Sequence, residues 1–344
     1  MKDNGLLVQY FNANTPADQT LWAKAVKDAA TLKKLGATAV WFPPATKGAA
    51  GKDDRGYAPY DLYDLGEFNQ KGSVGTRYGT KKEYLEAIDA MKAQGINVYA
   101  DIAVRQKLGA DSVEKVTAAD FNAKDIPQMI GNKKIVGALS KFTFPGRKSK
   151  YSKFKWNWNH FAGIDWQQDD FKRRVCELSG MTEMEAEKKY KLSKYDYIIG
   201  SELDLYNQEV YDELMAWAKW YEDVTGVDGF RFQEAEKIPG WFIRDFAEAA
   251  SNAGEEEKEI FTVGDFWHWR CDYINDYIAS ADNQPSMFDV PLHFSFHDAS
   301  VAEGEYDLSR LLDGSMMMSN PAKAVTFVEN HESQPGGVLE SAVA

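Results

Sequence analysis

Apolar and polar positions along the chain alternate between two periods, one fitting strands and one fitting helices, and that alternation predicts a parallel sheet with helices outside it. Leu6-Leu7-Val8-Gln9-Tyr10-Phe11 and Thr38-Ala39-Val40-Trp41-Phe42 read as the first two strands, the second halted by Pro43-Pro44. Between them Leu21 to Leu35 is amphipathic, and Gly36 is placed to end a helix. Thr80-Lys81-Lys82-Glu83 has the form of a capping box. Tyr84, Leu85, Ile88 and Met91 behind it share one helical face that Gly95 closes. Asn97 to Val104 supplies a third strand. The rhythm then breaks over residues 104–207, rich in Lys, aromatics and Gly, and so long an excursion reads as an inserted subdomain rather than a structureless loop. It resumes at Gln208, with Val210, Leu214, Trp217, Tyr221 and Val224 on one helical stripe ended by Gly226. Strands are expected at Gly229 to Gln233, Ile260 to Asp265, Met287 to Val290 and Ala324 to Glu329.

Seven strands in this order define an α/β chain of the TIM (β/α)8-type barrel class, stopping after the seventh strand. Residues 1–103 and 208–344 are assigned to the barrel and 104–207 to an inserted B domain after strand three. Such a sheet has a parallel edge between strands one and seven that something must cover.

Composition narrows the partner more than the fold. A net charge of -13 opposes binding to a nucleic-acid backbone or an anionic membrane, since both require a basic footprint, whereas a neutral ligand is compatible with it. No run approaches the roughly 20 apolar residues of a membrane span. Met1 to Tyr10 has no leader pattern, so the cytoplasm is the expected location, with secretion after leader removal as the alternative. Cys176 and Cys271, far apart and without metal-ligand spacing, read as unpaired structural thiols. Glu183 to Lys189 reads as a solvated helical face.

In a barrel of this kind the chemistry sits at the C-terminal ends of the strands. Those ends carry Asp101 with Arg105 and Gln106, Arg231 with Gln233, Asp265, and Asn330-His331-Glu332. Carboxyl groups in pairs beside aromatic rings are the equipment of glycoside hydrolysis. Strand alternation puts Arg231 and Gln233 on one side and Phe232 and Glu234 on the other, so Glu234 is not expected to replace Gln233 in the barrel mouth.

Asp228-Gly229-Phe230-Arg231, Tyr60 to Phe68, Tyr78-Gly79-Thr80-Lys81, Phe288 to His293, Gly56-Tyr57 and Asn330-His331 together resemble the α-amylase family of glycoside hydrolases, in its liquefying bacterial form. The resemblance spans essentially the whole chain. It implies an α-1,4-glucan as partner and retaining endo-hydrolysis by an Asp nucleophile, a Glu acid/base and a stabilising Asp. At those three positions this chain has Gln233, Asp265 and Glu332. An amide cannot form the glycosyl ester a carboxylate forms, and a displacement of about 1 Å in such a pair costs on the order of a hundredfold. The resemblance assigns sugar contacts to Tyr57, Gln106, Arg231, Glu236, Lys237 and His331. It also implies calcium, with Asp196, Glu202 and Asp204 as ligands, but a guanidinium, Arg105, stands at another ligand position. Three readings remain open: a slow hydrolase, a catalytically silent glucan binder, or a disabled chain.

Overall fold

The computed structural model describes residues 5–121, 129–169, 171–178, 199–254, 258–302 and 304–333. Seven strands, β1 (Leu7–Gln9), β2 (Ala39–Phe42), β3 (Asn97–Ile102), β4 (Gly229–Phe232), β5 (Phe261–Gly264), β6 (Ser286–Phe288) and β7 (Ala324–Val325), form one parallel sheet in chain order. The helices that follow or connect them are α1 (Leu21–Lys34), α2 (Lys81–Ala93), α3 (Gln208–Thr225), α4 (Gly240–Ser251), α5 (Cys271–Ser280) and α6 (Val290–Val301). This is the course of a (β/α)8-type barrel over seven of its strands.

Side-chain alternation divides the apolar residues between two cores. Val40 and Phe42 of β2, Val98, Ala100 and Ile102 of β3, and Phe230 and Phe232 of β4 point outward and are covered by helices. Phe246 of α4 meets Phe230 and Phe232 edge-on at 5.2 and 5.3 Å between ring centroids. The intervening residues point inward, where Trp41, Val263 and Phe288 pack with Leu7, Phe11, Trp267 and Phe327. Thus the inner face is apolar low in the barrel and turns polar only at the strand ends.

Local signals place the helices closely. Thr80 and Glu83 form the reciprocal capping box of α2, and Gly226 ends α3 in the left-handed region at φ 65°. Strand ends differ from expectation. β6 stops at Phe288 because the Asp289 carboxyl caps α6, accepting from Leu292 N–H at 3.1 Å, with Pro291 in the first turn. β7 spans only two residues, since its one neighbour, β6, is itself only three residues long and pairs with just two of them. Among the described residues β1 and β7 are not hydrogen-bonded to each other.

The excursion after β3 contains an antiparallel sheet of six strands, in the order Gln106–Lys107, Ser201–Leu203, Phe161–Gln167, Lys172–Glu177, Ser112–Phe121 and Met129–Lys141. Val116, Ala118, Val136, Ala138, Ile164 and Cys176 make its own small core. Cys176 and Cys271 are free thiols. Asp196, the Glu183 to Lys189 cluster and positions 334–336 lie outside the described residues. No helix among the described residues is long and apolar enough to cross a membrane.

Candidate active site

Arg231 is the centre of the barrel mouth. It is completely buried, projects inward from β4, and its guanidinium lies 4.9 Å above the Trp41 ring. Alternation aims Asp101 of β3 and Asp265, just past β5, at the same point. Nη1 of Arg231 donates to both Asp101 oxygens at 3.1 and 3.2 Å. Nη2 reaches Asp265 Oδ2 at 3.0 Å and Glu332 Oε1 at 2.7 Å. The sequence leaves Arg231 without an anion at 233; the structure provides three from elsewhere.

One guanidinium among three carboxyls forces them to titrate differently. Burial raises Asp101 to about 6 against the pull of Arg231. Burial likewise raises Asp265 well above the carboxylate range, and the adjacent Glu332 and Glu236 add to it. For Glu332 the attraction of Arg231 overcomes burial and brings it down to about 2. Burial thus favours the acid form of Asp265, and Arg231 the anionic form of Glu332.

Side-chain length decides which of the two meets the cleft. The cleft, about 360 Å³, is lined by Tyr57, Gln233, Glu234, Trp267, His331 and Glu332, with Phe11, Asn12, Ala13, Arg55 and Tyr78 around them. Asp265 is not on its wall and has no exposed surface. Its Oδ1 accepts from Glu234 N–H at 2.8 Å, and its Oδ2 from Trp267 Nε1 at 2.9 Å as well as from Arg231. The longer Glu332 does reach the cleft, yet Arg231 holds Oε1 and Trp267 Nε1 holds Oε2 at 2.6 Å. Each carboxyl oxygen of this pair already accepts a hydrogen bond.

Gln233 and Glu234 both line the cleft, which corrects the expectation that strand alternation separates them. β4 ends at Phe232, and Glu234 takes a left-handed backbone at φ 50°, so the period of two no longer applies. The turn that follows, Ala235–Lys237, is tied to β5 by Ala235 N–H donating to the Asp265 carbonyl at 2.9 Å. Gly264 makes that approach possible: a Cβ there would fall 2.6 Å from the Ala235 Cβ.

Tyr57 and His331 form the opposite wall as near-parallel rings 5.4 Å apart. Tyr57 Oη donates to Asp101 at 2.6 Å, so His331 Nε2, 2.9 Å from the same oxygen, must be the donor to it. That fixes the Nε2–H tautomer and leaves the buried Nδ1 with no hydrogen-bond partner. Burial, with Arg231 nearby, lowers His331 to about 3, so the ring is neutral.

The other expected sugar contacts sit behind the wall. Gln106 is buried and donates from Nε2 to the Tyr57 carbonyl at 3.0 Å. Glu236 is raised to about 7 by burial, and its Oε2 has no hydrogen-bond partner. Lys237 pairs with Glu234. Phe11, Arg55 and Trp267 also line the cleft without a sequence expectation; a position just past the end of β1 or β5 is the available signal for Phe11 and Trp267.

The two described members of the expected calcium donor set, Glu202 and Asp204, do not fit a cation. Glu202 Oε2 is bonded to Arg105 Nη1 at 2.6 Å, and Asp204 Oδ1 accepts from Tyr206 N–H at 3.1 Å. Among the described residues no three His, Cys, Asp or Glu side chains converge as a metal site. A guanidinium lies where a cation would need oxygen donors.

Comparison with known proteins bears on the family and the fold. Over 340 residues the chain is 42% identical to an alpha-amylase of Geobacillus stearothermophilus, covering 98% of this chain and 61% of that protein. It is 40% identical to a glucan 1,4-alpha-maltohexaosidase of a Bacillus species, with coverages of 99% and 65%. A cytoplasmic alpha-amylase of Escherichia coli is 35% identical over 344 residues, with coverages of 99% and 69%. The chain therefore spans about two thirds of the length of these curated relatives. Among solved structures, an Anoxybacillus alpha-amylase superposes with a TM-score of 0.57 at 17% identity, over 95% of this chain and 60% of that one. One from Malbranchea cinnamomea gives 0.58 at 16% identity, over 95% and 61%. No family model matches the chain.

Proposed function

This chain belongs to the α-amylase family, and from that premise we propose that it binds α-1,4-glucan with its hydrolytic step silenced. The observation that carries this reading is the Gln233 amide on the cleft wall beside carboxyls whose oxygens are all engaged. Retaining hydrolysis needs a carboxylate to form an ester at the anomeric carbon and an acid to protonate the departing oxygen. Gln233 does not form that ester. Asp265 is fully buried and does not line the cleft.

What the cleft keeps is suited to a neutral sugar. Tyr57, Trp267 and His331 offer ring surface, and Gln233 offers an amide that both donates and accepts. The relatives' names, an alpha-amylase and a glucan 1,4-alpha-maltohexaosidase, support an α-glucan as the ligand class. The name of the Escherichia coli relative supports a cytoplasmic location. The competing reading, slow hydrolysis, is supported by the acid form that burial favours at Asp265.

Calorimetric titration with maltoheptaose, run beside a reducing-end assay on soluble starch, tests the proposal. Saturable binding without release of reducing ends is expected. Steady release proportional to protein concentration would favour the slow hydrolase, and absence of binding would overturn both readings.

A further inference from the structure

Arg105 joins parts of the chain that are far apart in sequence. It follows β3 where the chain enters the insert, and it is 2% exposed. One arm of its guanidinium donates to Glu202 Oε2 at 2.6 Å, on the strand by which the chain leaves the insert. The other donates to Glu234 Oε2 at 2.7 Å, in the turn after β4 at the cleft. Its backbone carbonyl accepts from Leu203 N–H at 2.7 Å, fixing the base of the side chain. Lys237 completes the group by pairing with Glu234.

Among the described residues, Arg105 and Lys237 set two positive charges against the Glu202 and Glu234 carboxyls. A divalent cation between the same carboxyls would bring positive charge by another route. It would require several oxygen ligands at about 2.3–2.6 Å, and here the fork of Arg105 already occupies an oxygen of each carboxylate. Adding a metal would set it against a buried guanidinium, in surroundings that screen like charges poorly.

We propose that Arg105, assisted by Lys237, supplies from within the chain the positive charge that joins the insert to the barrel, making this junction independent of calcium. The same pair anchors Glu234, so the cleft wall is set by the polypeptide alone. The proposal does not depend on glucan binding, and its readout is stability.

Thermal unfolding of the full chain in EDTA and in millimolar calcium tests it. The two midpoints are expected to agree within about 1 °C, whereas a chelator-induced fall of several degrees overturns the proposal. Arg105→Asn leaves the buried Glu202 carboxyl without its guanidinium, and its midpoint in EDTA is expected to drop by roughly 5–10 °C. Calcium should recover part of that loss; an unchanged midpoint, or no recovery, also overturns the proposal. Arg105→Lys keeps the charge and covers the case in which the asparagine variant fails to fold. It should unfold at a lower temperature than the parent and stay insensitive to chelator, and sensitivity would count against the idea.

Discussion

Asp265 and Glu332 show how much one methylene decides. The family resemblance expects the longer acid at 265 and the shorter at 332, and this chain has the reverse. Asp265 withdraws to Arg231 and loses the cleft, while Glu332 extends across and is held at both oxygens. Restoring the nucleophile alone therefore leaves the proton donor out of reach. It also adds a carboxyl to a cleft wall that already has Glu234 and Glu332, which raises the pKa of the newcomer. Gln233→Asp is expected to change starch cleavage by less than about tenfold, because members of a catalytic set act as a unit. The triple change Gln233→Asp, Asp265→Glu and Glu332→Asp should exceed the single by on the order of 10³. Initial rates of reducing-end release compare them, and a single change equal to the triple would show that the retreat of Asp265 is harmless.

At the scale of elements, helix boundaries follow from chemistry within four residues, and strand boundaries do not. Thr80 Oγ1 accepts from Glu83 N–H while the Glu83 carboxylate accepts from Thr80 N–H at 2.8 Å, satisfying backbone groups that the first turn leaves open. At the end of α3, a Cβ on Gly226 would meet nothing nearer than Lys92 Nζ at 3.6 Å, so any penalty there comes from the left-handed backbone and not from crowding. Thr80→Ala and Gly226→Ala are each expected to destabilise the fold by about 1 kcal/mol. Urea unfolding should show lower midpoints with unchanged slopes. A changed slope in either variant would mean that more than the cap had been altered.

At the scale of the whole molecule, β1 and β7 are not hydrogen-bonded to each other among the described residues, and side chains bridge the two ends of the sheet. His331, beyond β7, lies 5.0 Å from the Phe11 ring past β1 and 5.4 Å from Trp41 on β2, besides its bond to Tyr57. These contacts tie the two ends of the sheet across the barrel, and they bury the ring beside Arg231, which disfavours its protonation. The folded value of His331, about 3, is depressed below the value of about 6.5 for an unperturbed histidine. Its contribution to stability is therefore complete above about 6.5 and is lost as pH falls toward 3, with a ceiling of about 1.4 kcal/mol per pH unit. Glu332, held near 2, acts in the same direction at still lower pH. His331→Gln keeps a donor near Tyr57 and cannot titrate, so its unfolding midpoint should depend less on pH through that window. Parallel pH profiles for parent and variant would remove His331 from this role.

The periods of the chain were sufficient for the order of the strands and of the helices around the parallel sheet. Those features depend on a few neighbouring residues, whose backbone preferences and apolar spacing act within one turn or one strand. The sequence also exposed the amide at 233. Tertiary structure alone decided that β4 stops before Gln233, that Glu234 turns into the cleft, that three carboxyls share Arg231, and that Arg105 lies between Glu202 and Glu234. Each of these depends on charges brought together from segments roughly 30 to 130 residues apart, and buried charge is resolved by whichever partners the fold brings within a few ångströms, which local pattern does not encode.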